Sequence, residues 1–353
     1  MAEPATRTRF RDRHPWLRAL LWSVIWLALL VSLLWNLEAW PEASAWRELG
    51  NPASGPALSG FLLIFLAVTA VRARRWQILL QARTAFPWRR VWPIFFWTFL
   101  LKSLTPLRAG EVLRALWLRR HQHDGFGYGL ATIAIERAAD VLILVGGGSL
   151  LVLGGVMAAP ETVGNHAVLL AILAGIVLLG LLLLPLSRRG PAQAGAPTGA
   201  RRGCPHARPF AAMLQNAAAK ACKPILSTID GLNALRQPLL AAHVLALTLA
   251  VWGGLVLGYG LVLNTLLPAA PWAAVVAMVA AVNLLGITAG PPGNLGTYEI
   301  GGLAALAAFG IDAASALPVI VLLHAAVLAA TLLAGVIGRF ALHRELDGIL
   351  DPY

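Results

Sequence analysis

The chain has 353 residues, 58% of them hydrophobic and only 12% charged, with a mean hydropathy of +0.72 and a formal charge of +12. No soluble core needs that much apolar chain, so a soluble enzyme or nucleic-acid-binding domain is excluded and an all-α polytopic membrane protein is expected. The basic residues lie between apolar runs, where they report orientation in a bilayer.

Residues 1–16 form a basic N-terminal segment, with Arg7, Arg9, Arg11 and Arg13, and Arg18 follows as the first span opens at about 17–37. The loop after it carries Glu38, Glu42 and Glu48 against Arg47, so the N-terminus is expected in the cytoplasm. Ala43-Ser44-Ala45 resembles a signal cleavage site, but an apolar stretch of about 20 residues exceeds the roughly 7–15 of a signal peptide, and a retained span is expected. A second span at 57–80 ends among Arg72, Arg74 and Arg75, with Arg83, Arg89 and Arg90 close behind.

Next comes an apolar arm, Val91–Leu104, then the break Thr105-Pro106-Leu107-Arg108-Ala109-Gly110-Glu111, then a second arm returning to Arg119 and Arg120. Fourteen helical residues rise roughly 21 Å, short of the roughly 30 Å of a bilayer core, so hairpin 91–119 is expected to be re-entrant. Spans at 126–157 and 165–186 complete a first membrane half, 17–186.

Residues 187–237 read as a cytoplasmic linker, rich in Pro, Gly, Ala and Arg up to 209. Phe210, Met213, Leu214, Ala217 and Ala221 then recur at helical spacing beside Lys220 and Lys223: an interfacial amphipathic helix, or a short helix covering the bundle's cytoplasmic face. Cys204 and Cys222 lie here without metal-ligand spacing and receive no role. The second membrane half, 238–340, opens with a span at 238–264 and closes with one at 313–338; residues 341–353 form a cytoplasmic tail.

Between those spans lies hairpin 272–310, whose arms Trp272–Ala289 and Thr297–Gly310 flank Pro291-Pro292-Gly293-Asn294-Leu295-Gly296-Thr297-Tyr298-Glu299. Loop charges fix parity alone, and an arm of 18 residues nearly crosses a bilayer, so re-entry and two full spans both stay open here. The expected architecture is about six spans plus two re-entrant broken hairpins arranged as inverted repeats. Paired interruptions in corresponding halves mark a transporter's binding site.

The candidate cavity residues are Arg108, Glu111, Glu136, Arg137, Asp140, Asn294, Tyr298 and Glu299. Thr105, Pro106, Gly110, Pro291, Pro292, Gly293 and Gly296 make the breaks. Ionisable groups at membrane depth line a wet path or pair with one another. Arg108 beside free amides at a helix start suits a phosphate, or else pairs with Glu111 and pins the hairpin. Glu136 and Asp140 share a helix face, with Arg137 three residues from Asp140; they touch substrate or clamp span to hairpin. Asn294, Tyr298 and Glu299 bring an amide, a phenol and a carboxylate beside Gly293 and Gly296. Asn283 faces inward or bridges helices, and Lys102 snorkels or faces the cavity. His243 and His324, isolated on apolar spans, read as packed and hydrogen-bonded. No catalytic constellation, metal cluster or cofactor motif is present in the sequence.

At Arg75-Trp76 with Leu79-Leu80, TPLRAGE at 105–111, ATIAIERAADV at 131–141 and PPGNLGTYE at 291–299, the chain resembles the transmembrane-region family of lysylphosphatidylglycerol synthases, also described as flippase-like membrane proteins. The likeness covers about residues 15–340. It implies two re-entrant hairpins around a central cavity lined or supported by Arg108, Glu111, Glu136, Arg137, Asp140, Tyr298 and Glu299. Full-length synthases carry a cytoplasmic aminoacyl-transfer domain after this region; the chain stops at Tyr353, so lysyl transfer is not expected. The second motif departs from its usual paired glycines at Gly293-Asn294. The function implied is movement of an amphipathic lipid, anionic or polyprenyl-linked, across a bacterial inner membrane with both termini cytoplasmic. An intramembrane lipid-modifying enzyme, or a scaffold for an envelope lipid or glycan synthase, is the alternative. Membrane lipids and possible envelope-synthesis enzymes are the expected partners, with no nucleic acid.

Overall fold

The computed structural model describes residues 49–105, 109–122, 125–153, 237–287 and 291–342, with isolated helical positions between 24 and 47. The rest of the first expected span, the span at 165–186, the linker with its amphipathic segment, Pro106, Leu107, Arg108 and the tail from 343 lie outside the described residues. What is described is helical, without a strand: α1 (Ser54–Gln81), α2 (Trp88–Leu104), α3 (Ala109–His121), α4 (Gly125–Leu153), α5 (Pro238–Leu266), α6 (Trp272–Ile287), a 3₁₀ turn (Pro292–Asn294), α7 (Thr297–Ala307) and α8 (Ala313–Ala341).

Three of these, α1, α5 and α8, are long and apolar enough to cross a membrane. Their 28 or 29 residues rise roughly 42–44 Å. Helix α4 has the same length but carries Glu136, Arg137 and Asp140 midway. Leu63, Leu239, Leu257 and Phe340 are each more than half exposed, the opposite of what water tolerates and what hydrocarbon favours.

The four helices around the breaks are shorter: 17 and 13 residues for α2 and α3, 16 and 11 for α6 and α7. At 1.5 Å per residue α7, capped at both ends, rises only roughly 17 Å, too little to cross. Helix α6 is described over Trp272–Ile287, and the last two residues of the arm read from the sequence lie outside the described residues.

The hairpin geometry follows from local sequence. Thr105 precedes a proline, which disfavours the α region, and it sits extended at φ −104°, ψ 142°, ending α2. Gly110 then lets α3 fold back: a Cβ there would lie 2.0 Å from the Thr98 carbonyl oxygen. At the second break, Gly293 (φ 71°), Asn294 (φ 58°) and Gly296 (φ 81°) are left-handed. Asparagine is the side chain that tolerates this region best after glycine, so Gly293-Asn294 keeps the turn while adding an amide.

Helices α1 and α5 pack side by side and antiparallel. Gly258 lies on Phe61 and Ile64, Gly254 on Val68 and Gly60 on Leu261. Without a hydrophobic drive between helices in lipid, small residues that permit close contact hold such pairs together. Helix α8 meets α2 in the same manner, with Gly335 on Leu100 and Gly338 against the Pro93 carbonyl. Exchanging α1 with α5, α2 with α6, α3 with α7 and α4 with α8 maps every principal helix contact onto another. Trp88 and Trp272, half-exposed, open the corresponding helices α2 and α6.

One apolar core lies among α1, α5, α6, α7 and α8, and an aromatic cluster of Trp76, Phe86, Phe95, Trp117 and Tyr128 lies under the first hairpin. Between them the charged groups gather.

Candidate functional site

A cavity of about 130 Å³ lies where the two hairpins approach each other. From the first half it is lined by Gly110 and Glu111 at the start of α3, with Arg72, Lys102, Arg114, Glu136, Arg137 and Asp140. The second half contributes Trp252, Tyr259, Asn283, Gly293, Asn294, Tyr298 and His324. Among the described residues five basic side chains (Arg72, Arg75, Lys102, Arg114, Arg137) face three carboxylates (Glu111, Glu136, Asp140), so this lining is net cationic.

Asp140 is the hub. Arg75 grips it through both terminal nitrogens, 2.7 and 3.3 Å, and the Trp252 indole N–H donates to it at 3.2 Å. Arg75 also donates to Thr248 Oγ1 at 2.9 Å. Three helices, α1, α4 and α5, are thus tied at one carboxylate. The guanidinium fork matches a carboxylate in a way a lysine cannot, which suits a pair that is almost wholly buried.

One turn earlier on α4, Glu136 accepts from Arg114 of α3 at 2.9 Å. Arg114 is sandwiched by aromatic faces, 5.2 Å from Trp76 and 4.9 Å from Phe95. Cation–π contact with desolvated rings, worth up to about 2 kcal/mol, helps hold a charge that water has left. Glu136 and Asp140 therefore share a helix face, as their spacing required, yet serve different arginines.

Arg137 lies 3.5 Å from Asp140 and 3.6 Å from Glu111, which also stands 3.9 Å from Lys102. Among the described residues Glu111 thus bridges α2, α3 and α4; the alternative partner named from the sequence, Arg108, lies outside them. Lys102 faces the cavity.

Arg72 differs from the other four cations. No carboxylate among the described residues is within ion-pair distance; its guanidinium lies over Phe99 at 5.5 Å and Trp252 at 6.0 Å. It is a half-buried cation on the cavity wall, lying against two aromatic faces.

The second half supplies a different chemistry. Glu299, in the first turn of α7, reaches back to accept from the Gly296 N–H at 2.8 Å, and its other oxygen meets His324 Nδ1 of α8 at 2.5 Å. His324 Nε2 meets the Gly293 carbonyl at 2.7 Å. Tyr298 stacks on the His324 ring, 4.2 Å between centroids, and its hydroxyl donates to Tyr259 at 3.0 Å.

Of the residues expected to line the cavity, Glu111, Glu136, Arg137, Asp140, Asn294 and Tyr298 do so; Glu299 stands behind His324 instead. Gly110 and Gly293 of the breaks also line it. Asn283 donates back to Val279 of its own helix, and His243 is exposed on α5, bonded to Leu239. Reading the sequence missed Arg72, Arg75 and Arg114 as cavity groups, and His324 as a partner of Glu299. Their common signal is helical phase. Phe61, Phe65, Val68, Arg72, Arg75 and Leu79 form one stripe on α1, so the two arginines point where the core residues point.

The family described as the lysylphosphatidylglycerol synthase TM region matches residues 16–335. The chain belongs to that family. No curated protein and no solved structure matches it. Membership makes this a lipid-related membrane protein.

Proposed function

We propose that this member of the family is a flippase-like lipid transporter of the bacterial inner membrane, carrying an anionic or polyprenyl-linked lipid whose headgroup passes between two re-entrant hairpins. The observation that carries the reading is the net-cationic cavity at the meeting of the breaks, inside a bundle whose outer surface is apolar. Unsatisfied backbone at membrane depth is tolerated only against protein or a wet cavity, and both breaks border one.

The size fits a headgroup and not a lipid body. About 130 Å³ falls below the roughly 300–1,000 Å³ of drug-sized pockets, so the acyl or prenyl chains stay in the bilayer. Five cations against three carboxylates call for further negative charge, which a phosphate supplies. Arg72, without a carboxylate of its own, is its first contact, joined by Arg108 from the break. Glu136 and Asp140 are each engaged by an arginine, which suits a fixed electrostatic wall better than acid–base chemistry on a lipid.

The antiparallel α1–α5 pairing and the exchange symmetry of the contacts support inverted repeats, and the short arms support re-entry of both hairpins. The arrangement gives an alternating-access transporter a fixed site near the midplane. Loop charge orients it with both termini cytoplasmic.

The test is leaflet exchange in vesicles reconstituted with the full chain, using fluorescent phosphatidylglycerol and, as the neutral control, fluorescent phosphatidylcholine. Faster exchange of the anionic probe, lost in Arg72→Ala, is expected. Exchange equal to protein-free vesicles, for phosphatidylglycerol and a polyprenyl phosphate alike, removes the reading.

A further inference from the structure

We infer that His324 and Glu299 form a proton-binding site that latches the second break, one proton being shared between imidazole and carboxylate while the latch is closed. The argument rests on which atoms can donate. The Gly293 carbonyl oxygen can only accept, so the His324 Nε2 facing it at 2.7 Å carries a hydrogen. Glu299 Oε1 faces Nδ1 at 2.5 Å, and that contact also needs a hydrogen, on one atom or the other. An imidazolium beside a carboxylate, or a neutral imidazole beside a carboxylic acid, holds the same number of protons.

Remove that proton and no tautomer satisfies both contacts. With the remaining hydrogen on Nε2, the Nδ1 lone pair faces a carboxylate; with it on Nδ1, the Nε2 lone pair faces a carbonyl. One side must let go. Glu299 also holds the Gly296 N–H at 2.8 Å, so the pair grips both sides of the left-handed turn at Gly293, Asn294 and Gly296 and ties it to α8. Occupancy by one proton is thereby linked to the position of the hairpin tip. His324 lines the cavity while Glu299 lies behind it, so the shared proton sits directly behind the cavity wall.

Among the described residues the groups that face His324 come from four helices. Helix α7 contributes Glu299 and the stacked Tyr298; α5 contributes Tyr259, bonded to Tyr298; α1 and α2 contribute Arg72, Arg75 and Lys102 on the same cavity. An anionic headgroup entering beside those cations changes the potential at the imidazole, so cargo and proton bind interdependently. The latch itself rests on geometry alone; under the transport reading it supplies the coupling ion.

The experiment uses the full chain in lipid nanodiscs from about pH 5 to about pH 9, a range spanning ordinary histidine titration. The His324 ring nitrogens are followed by magnetic resonance with isotope-labelled histidine, assigned against His324→Gln. Amide exchange across residues 291–307 is measured in the same samples, corrected for intrinsic rate. The shared proton is expected to leave the His324–Glu299 pair within this range, with protection of the turn falling by at least about tenfold, the scale of one lost charge-assisted hydrogen bond.

Glu299→Gln separates a latch from a mere support. Its amide donates to a neutral Nδ1 and its carbonyl oxygen still accepts from Gly296, so the turn is expected to stay protected at every pH. His324→Ala leaves it unprotected at every pH. An imidazole that does not titrate across the range, or exchange at 291–307 that ignores a titration that does occur, overturns the inference. Titration with coupled opening in protein that moves no lipid removes the transport reading and leaves the proton site standing.

Discussion

Replacing Asp140 by Asn tests the central tie with almost no change of shape. Asp140 accepts from Arg75 at 2.7 and 3.3 Å and from Trp252 at 3.2 Å, and Arg137 stands 3.5 Å away. The Asn oxygen can keep one side of this arrangement, but its amide nitrogen must then point a donor at an arginine nitrogen. Arg75 is 1% exposed and keeps only Thr248 as a clean acceptor, so a buried cation loses its counter-charge. Losing one partner of such a pair costs about 3–5 kcal/mol. Single charge-assisted hydrogen bonds run about 1.5–3 kcal/mol, and roughly two are lost here, which gives the same range. The assay is unfolding in mixed micelles, read by tryptophan fluorescence, on Asp140→Asn, Arg75→Met and the double variant Arg75→Met/Asp140→Leu. Each single change is expected to destabilise by about 3–5 kcal/mol, and the double variant to recover most of it, because no charge is then left alone. A single variant within about 1 kcal/mol of the parent, or a double variant no more stable than Arg75→Met alone, refutes the reasoning.

Arg72→Ala should lower binding of the fluorescent anionic probe by about ten- to a hundredfold, the loss of one charge-assisted contact, while unfolding stability shifts little because no carboxylate depends on it; an equal fall in stability and binding would make it a structural residue. Gly110→Ala places a Cβ 2.0 Å from the Thr98 oxygen and 2.5 Å from the Lys102 nitrogen, both backbone, and should cost about 3 kcal/mol or more in the same unfolding assay. Gly146→Ala, where no described atom lies within 4 Å of the added Cβ, should be neutral or stabilise by up to about 1 kcal/mol. Tyr298→Phe leaves the stack on His324 but strands the buried Tyr259 hydroxyl; a loss of about 1–3 kcal/mol is expected, with the pH response of exchange at the second break retained.

Helix bounds were legible wherever apolar runs met turn chemistry. Spans read at 57–80, 238–264 and 313–338 appear at Ser54–Gln81, Pro238–Leu266 and Ala313–Ala341. Both breaks were legible because proline and glycine leave few backbone choices. The pairing of charges was not. Arg75 and Asp140 are 65 residues apart, and only the packing of α1 against α4 and α5 brings them together. Arginines near a span's end also serve as orientation markers, and composition alone does not separate an arginine that snorkels outward from one that turns inward. On α1 the helical phase makes the distinction: Arg72 and Arg75 follow the Phe65–Val68 stripe, whereas Arg74 leaves it and is exposed. Likewise His324 falls in phase with Leu317, Ile320 and Thr331 on the buried face of α8, and its meaning came from Glu299 on the neighbouring helix.

The two breaks occupy matching places in the contact pattern, yet they carry unlike chemistry, and the difference bears on how they work. At the first, Glu111 sits among Lys102 and Arg137, with Arg72 and Arg114 on the same wall, so that break is held by ion pairs between acidic and strongly basic side chains. At the second, the ties run through a histidine, the side chain whose charge changes nearest neutral pH. A hairpin pinned by permanent ion pairs can respond only to another ion, such as an incoming phosphate that competes for its cations. A hairpin pinned through one shared proton can respond to proton supply. Facing each other across one cavity, the two would, under the proposed function, make a site in which anion and proton each alter the other's binding by Coulomb interaction alone, with no long-range pathway required.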